Sequence, residues 1–363
     1  MKRYIEAVTI FATVMENMPD QSRIYLDHAA TTPIIPAARA VMAEAMVHWA
    51  NPSSPHQEGR AARFALEEAR QRIAAALNWD GEVILTSGAS EAIALGLRGT
   101  AAVSSAVEHD AVLAVAGPYR LPVGAGGQVD IGAITGEARF AVQSVNNETG
   151  IIQPMAEIAA AVRNVGGIFF ADCSQSAGKL PLPDADMIAV SAHKLGGPPG
   201  MGALLVRNLG LLFPTGGQEQ GYRRGTENLP AAIGFATALE AGFAWMEDAV
   251  RLRKILEAAV VECGGIVVAS ESNRLATIGS YRMPGVAASS QLINFDMAGI
   301  AVSAGSACSS GTLKTSHVLG AMGWDDKSAS EVIRVSFGAA TNDADITRFI
   351  DVWRSISVRA KAA

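Results

Sequence analysis

The chain has 363 residues, 49% hydrophobic and 18% charged, long enough to bury a substantial core and too apolar for a disordered segment. Its 29 basic and 35 acidic side chains leave a net charge of −6, which argues against a nucleic-acid platform as the main role. The three cysteines, Cys173, Cys263 and Cys308, are dispersed with no C-x-x-C pair, which argues against a disulfide framework, a zinc ribbon or another metal site and for a reducing cytoplasm.

Residues 1–20 read as an extension. Their apolar stretch, Ala7 to Val14, is short, flanked by Glu6 and Glu16 and followed by no small-residue cleavage site, so it is not a secretory signal. No run of about 18 apolar residues occurs, so no membrane span is expected. After Pro36, Val41, Met42, Ala45, Met46 and Trp49 recur with helical spacing. A second helix is predicted over 59–77, with Ala65, Ala69, Ile73 and Leu77 on one face and Arg60, Arg63, Glu67 and Arg70 in solvent. Five short apolar runs follow, each the length of a buried strand: Val83–Thr86, Ala141–Val145, Ile168–Ala171, Met187–Val190 and Ala203–Val206. Their alternation with helical patterns predicts an α/β fold with a mostly parallel sheet covered by helices. The Gly-rich stretch 116–136 reads as loop. Residues 229–261 read as one or two helices, and a second compact unit ends in a helix near 343–358.

In such a sheet, ligands sit outside the carboxyl ends of the strands, so the polar residues there carry the chemistry. Lys194 stands in Ser191-Ala192-His193-Lys194, directly after an apolar strand and before two glycines. Asp172 ends another strand. A lysine for a Schiff base and a carboxylate for a pyridinium nitrogen are what pyridoxal phosphate (PLP) needs, although each alone also reads as an ordinary turn residue. Thr86-Ser87-Gly88-Ala89-Ser90-Glu91 leaves a strand and opens a helix, a good seat for a phosphate or a plain N-cap. His109 is a ring-stacking residue or a surface histidine. Asn147, in Asn146-Asn147-Glu148-Thr149-Gly150, offers an amide or only shapes a turn.

Cys308 is surrounded by small residues, Gly305-Ser306-Ala307 before and Ser309-Ser310-Gly311 after, which suits an accessible nucleophile better than a packed thiol. Cys173 and Cys263 read as structural. Arg334 sits in a strand-like run, Val332 to Ser336. A guanidinium there binds a substrate carboxylate or forms a structural ion pair.

Together these segments resemble the cysteine desulfurases of the NifS/IscS type, which are class V aminotransferases of PLP fold type I. The likeness runs from Ile24 to Val352. It includes Tyr25-Leu26-Asp27-His28-Ala29-Ala30-Thr31-Thr32-Pro33, Asn51-Pro52-Ser53-Ser54-Pro55-His56, the turn at 86–91, Glu108-His109, Asn146 to Gly150, Asp172-Cys173-Ser174-Gln175-Ser176, Ser191 to Lys194, Arg224-Gly225-Thr226-Glu227-Asn228, Gly305 to Cys308 and Arg334-Val335-Ser336. No one of these is specific. Their order and separation are. Ser90 replaces a common threonine and keeps the hydroxyl.

The resemblance implies a large PLP-binding domain over 33–245 and a smaller α/β domain, made of 21–32 with 246–363, that carries the cysteine loop. It implies that Lys194 binds PLP and moves protons, that Asp172 pairs with the ring nitrogen and that His109 stacks on the ring. Gln175 and Asn147 would lie near the phenolic oxygen. Ala89, Ser90, Ser191 and His193 would hold the phosphate, with Thr226 reaching it from the second subunit of a homodimer. Arg334 and Asn147 would bind L-cysteine, and Cys308 would accept its sulfur and hand it to a protein acceptor such as an iron–sulfur scaffold. No direct nucleic-acid or membrane partner is expected. A selenocysteine lyase, a cysteine sulfinate desulfinase or a related class V enzyme is the alternative.

Overall fold

The computed structural model describes residues 23–48, 50–304 and 315–362, so the extension at 1–20 and Cys308 lie outside the described residues. β1 (Ile24–Tyr25) is followed by two helices, α1 (Pro36–Val47) and α2 (Gln57–Ala76). Pro36 starts α1 at the position where a missing N–H costs nothing. His56 caps α2 by accepting from the Gly59 amide. The stripe that α2 buries is Ala62, Leu66, Ala69 and Ile73, with Leu77 buried just past its end, so Ala69, Ile73 and Leu77 of the predicted face point inward and Ala65 lies at its edge.

A seven-stranded sheet forms the centre, in the order β2-β8-β7-β6-β5-β3-β4. Its strands are β2 (Glu82–Thr86), β3 (Val103–Ser105), β4 (Arg120–Leu121), β5 (Arg139–Gln143), β6 (Ile168–Asp172), β7 (Met187–Ser191) and β8 (Gly202–Val206). All five predicted runs are among them. The stretch 116–136 is not all loop: β4 lies within it, parallel to β3. Strand β8 runs antiparallel to both of its neighbours, and the remaining pairs are parallel. The sheet is covered on both faces. Val83, Leu85, Ala203 and Leu205 face one apolar layer with Leu66 and Phe235. Ile84, Leu204 and Val206 face another with Ala92 and Ile93. Burial on both sides explains why these strands read as continuous apolar runs rather than alternating ones.

The intervening helices are α3 (Ala89–Gly96), α4 (Asp110–Leu113) and α5 (Met155–Asn164). The stretch 229–261 resolves into two helices, α6 (Leu229–Glu240) and α7 (Met246–Glu262). The chain then adds β9 (Ile266–Val267), β10 (Ile278–Arg282), α8 (Ala288–Met297), β11 (Ile300–Ala301), α9 (His317–Ala321), α10 (Asp326–Ala329), β12 (Val332–Ser336) and α11 (Asp343–Ala362). β12, β10 and β9 form an antiparallel sheet. A second core collects Leu252, Leu256, Tyr281, Phe295, Ile333, Phe349 and Trp353, and it takes in Leu26 from the start of the chain. β1 pairs in parallel with β11, and the Ser336 amide donates to the Leu26 carbonyl.

Candidate active site

The carboxyl ends of β2, β5, β6 and β7 open onto a cavity of about 520 Å³. Because β8 is antiparallel, its first residue lies at this end of the sheet: Gly202 is in register with both Thr86 and Ser191. Lys194, Asp172, Gln175, His109, Asn147, Ala89, Ser90, Ser191, His193 and Arg334 all line this one space. Thr226 does not. It is exposed on the segment before α6.

Lys194 closes a single helical turn after β7. Its Nζ donates to the carbonyls of Ala29 (2.6 Å) and Ala30 (2.7 Å). Burial and the Arg334 charge pull its pKa from 10.5 down to about 8, against the opposing pull of Asp27 and Asp172. Asp172 ends β6, and one of its oxygens accepts from the amide (2.9 Å) and hydroxyl (2.5 Å) of Ser174. Gln175 donates from Nε2 to the Ala29 carbonyl at 2.9 Å, so Ala29 ties it to Lys194. Its Oε1 is buried without a partner.

The turn before α3 is shaped by Gly88, whose φ of 149° suits only glycine. A Cβ there would meet nothing within 4 Å, because it would project into open space. No side chain caps α3, so its first amides are left for an anion. His193 lies beside this turn with its Nδ1 3.1 Å from the Thr31 hydroxyl. Burial and the Lys194 charge lower its pKa to about 4, so it is a neutral hydrogen-bonding group. His109 is exposed, and its Nδ1 accepts from the Ala111 amide at 3.1 Å as the N-cap of α4.

Arg334 is buried on β12. Its Nη1 donates to the Asn147 carbonyl (3.0 Å) and its Nη2 to the Asp27 carboxylate (2.7 Å), while Nε is buried without a partner. The structural ion pair is therefore present, and donor capacity remains for a second anion.

The chain matches the family described as aminotransferase class-V over residues 24–349. It is 35% identical to the IscS-like cysteine desulfurase of Mycobacterium tuberculosis, over 93% of this chain and 97% of that one. A NifS-like protein from Rickettsia africae superposes with a TM-score of 0.85 at 28% identity, over 92% of this chain and 99% of that one. A structure described as SspA in complex with cysteine superposes with a TM-score of 0.75 at 27% identity, over 86% and 98%. The chain belongs to the class-V aminotransferase family, among its cysteine desulfurases.

The residues of this class-V chain fit PLP. Uncapped amides and hydroxyls at one end of the cavity suit a phosphate. A carboxylate and an amine with lowered proton affinity suit a pyridine nitrogen and an aldehyde. The orphaned Gln175 Oε1 marks a polar spot that the protein alone does not satisfy.

Several lining or supporting groups had no role in the sequence reading. Asp27 holds Arg334. Glu108 is fully buried, accepts from the Ser105 hydroxyl (2.5 Å) and the Gln143 amide (2.9 Å), and is pushed up to about 8 by burial. Lys179 reaches back beneath Lys194. Asp27 and Glu108 stand inside the matching motifs, and the adjacency was their only signal. Cys173 is buried and its pKa is pushed up to about 12, mainly by burial, as suits a structural thiol.

Proposed function

We propose that the chain is a PLP-dependent cysteine desulfurase that releases L-alanine from L-cysteine and leaves the sulfur as a persulfide on Cys308. The observation that carries this reading is the meeting of Lys194, Asp172 and Arg334 around one cavity in a member of this family. PLP supplies an electron sink for negative charge at the substrate α-carbon.

Lys194 attaches the cofactor and takes and returns the α-proton. An amine with a pKa near 8 has a usable free-base fraction near neutrality. Asp172, oriented by Ser174, holds the proton on the pyridine nitrogen. His109, held by its own N-cap bond, would stack against the cofactor ring. Gln175 and Asn147 would bind near the phenolic oxygen, and Ala89, Ser90, Ser191 and neutral His193 would hold the phosphate. Arg334, positioned by Asp27, takes the substrate carboxylate together with Asn147. Thr226, exposed and away from its own cavity, serves the phosphate site of a second copy in a homodimer.

Cys308 follows Ser303 by five residues, and Ser303 lines the cavity. The Cys308 thiolate forms the S–S bond as the substrate C–S bond breaks. The C–S electron pair stays with carbon, which becomes the alanine methyl after protonation. The two electrons that carbon gains are lost by the two sulfurs that form the S–S bond, one from each, so no external oxidant is needed. A cytoplasmic protein acceptor such as an iron–sulfur scaffold takes the sulfur onward. The two largest apolar clusters, one confined to 38–239 and the other built from Leu26 with 249–356, support a division into 33–245 and a unit made of 21–32 with 246–363.

The test is incubation of the PLP-loaded protein with L-cysteine and a reductant. Equal amounts of alanine and sulfide are expected. Lys194→Ala is expected to abolish both, and Cys308→Ala to lower sulfide release at least tenfold. A loaded wild type that makes no alanine overturns the reading. A Cys308→Ala variant that turns over selenocysteine or cysteine sulfinate as fast as wild type, with little activity on L-cysteine in either, moves the assignment to the alternative lyases.

A further inference from the structure

Lys179 closes the tight turn that follows Asp172. Gly178, with φ of 76°, lets the chain reverse there, and a side chain at 178 would collide with the ring of Phe243. The reversal sends the Lys179 side chain back under the site. Its Nζ donates to the carbonyl of Lys194 and to the carbonyl of Gln175, both at 3.2 Å. The Lys194 carbonyl also accepts from the Thr32 hydroxyl at 3.3 Å. The contacts close a ring: Lys194 Nζ and Gln175 Nε2 share the Ala29 carbonyl, and Lys179 joins the backbones of the same two residues.

Among the described residues, no carboxylate lies within ion-pairing distance of Lys179. A half-buried ammonium held only by carbonyls is costly, and its charge is felt by its neighbours. Burial and the charge of Lys194, in the turn after β7, hold the Lys179 amine down to about 8, a repulsion that acts on both amines; the Lys179 charge also adds to burial in lowering His28, from the segment after β1. Lys194 also faces Arg334 on β12, Asp27 after β1 and Asp172 on β6, with His193 next to it in sequence.

We propose that Lys179 is a positioning residue for Lys194, clamping its backbone to that of Gln175 and setting a second positive charge behind its amine. This rests on the PLP reading above. The charge disfavours a proton on the Lys194 nitrogen, whether that nitrogen is free or bound to cofactor. It therefore keeps Lys194 closer to the basic form that must take a proton from substrate.

The experiment is a pH titration of the visible absorbance of the PLP-loaded protein, with the cofactor dissociation constant measured alongside. In Lys179→Met the titration midpoint is expected to rise by about 0.5–1 unit and the cofactor to bind several-fold more weakly. Lys179→Arg, which keeps the charge, is expected to hold the wild-type midpoint. If the Met variant does not fold, Lys179→Gln replaces it with the same expected rise. Met or Gln variants that titrate as wild type overturn the proposal, as does an Arg variant that shifts as far as they do. A wild type with no visible band at all would instead overturn the PLP reading.

Discussion

Arg334 and Asp27 form a 2.7 Å ion pair across 307 residues of sequence. Asp27 stands just after β1 and Arg334 on β12, so the pair fixes the beginning of the chain against the strand that presents the guanidinium.

Replacing Arg334 by Ala removes the proposed carboxylate contact, and hydrogen bonds to charged groups contribute about 1.5–3 kcal/mol. KM for L-cysteine is expected to rise roughly ten- to a hundred-fold. Asp27→Asn keeps an acceptor for Nη2 and is expected to cost less than tenfold. Steady-state kinetics on L-cysteine with both variants checks the order.

Glu108 makes stability depend on pH. Its carboxyl keeps its proton up to about 8 in the fold, whereas an unfolded glutamate loses it near 4.5. The folded state therefore binds more protons between those values, and its advantage is full below the lower one and is lost as pH rises through about 8. Glu108→Gln is permanently neutral. Relative to wild type, it is expected to gain stability between pH 5 and pH 9, read as an increasing difference in urea midpoints.

Gly202 has no room for a side chain. A Cβ there would lie 2.5 Å from the Val190 carbonyl oxygen and 2.7 Å from the Gly88 Cα. Gly202→Ala is expected to destabilise the protein by about 1–3 kcal/mol through overpacking. It should also weaken cofactor binding, because the strained contact pushes on the turn before α3. Thermal melts with and without PLP separate the two effects.

Glu219 is buried, and it accepts from Arg70 at 2.6 and 3.0 Å and from the Leu85 amide at 2.8 Å. Arg70→Met strands that carboxylate, a change that typically costs about 3–5 kcal/mol. Arg70→Met combined with Glu219→Leu is expected to recover part of the loss in denaturant unfolding.

The five strand runs were readable because a strand buried on both faces is written as a local apolar block. The direction of β8 was not, since nothing in Gly202–Val206 differs chemically from a parallel strand. Only the short link from β7 forces the reversal. Lys194, Asp172, Gln175 and Arg334 were readable through strand ends and matching motifs. Lys179 was not, because a lysine after a turn glycine reads as solvated, and its partial burial depends on the chain folding back under a residue from another strand. The Asp27–Arg334 pair was likewise hidden by its sequence distance, although Arg334 was seen to need a partner.

The reversal at β8 also determines how Lys194 moves. Hydrogen-bonded strand ends at Ser191 on one side and Gly202 on the other leave only a short leash between them, and the Ala192 amide is itself bonded to Met201 across its base. Backbone excursions of the lysine are therefore suppressed. The travel its amine needs between cofactor, substrate and the carbonyls of Ala29 and Ala30 comes from rotation about its four side-chain bonds, so Lys194 works as a flexible arm on a stationary mount.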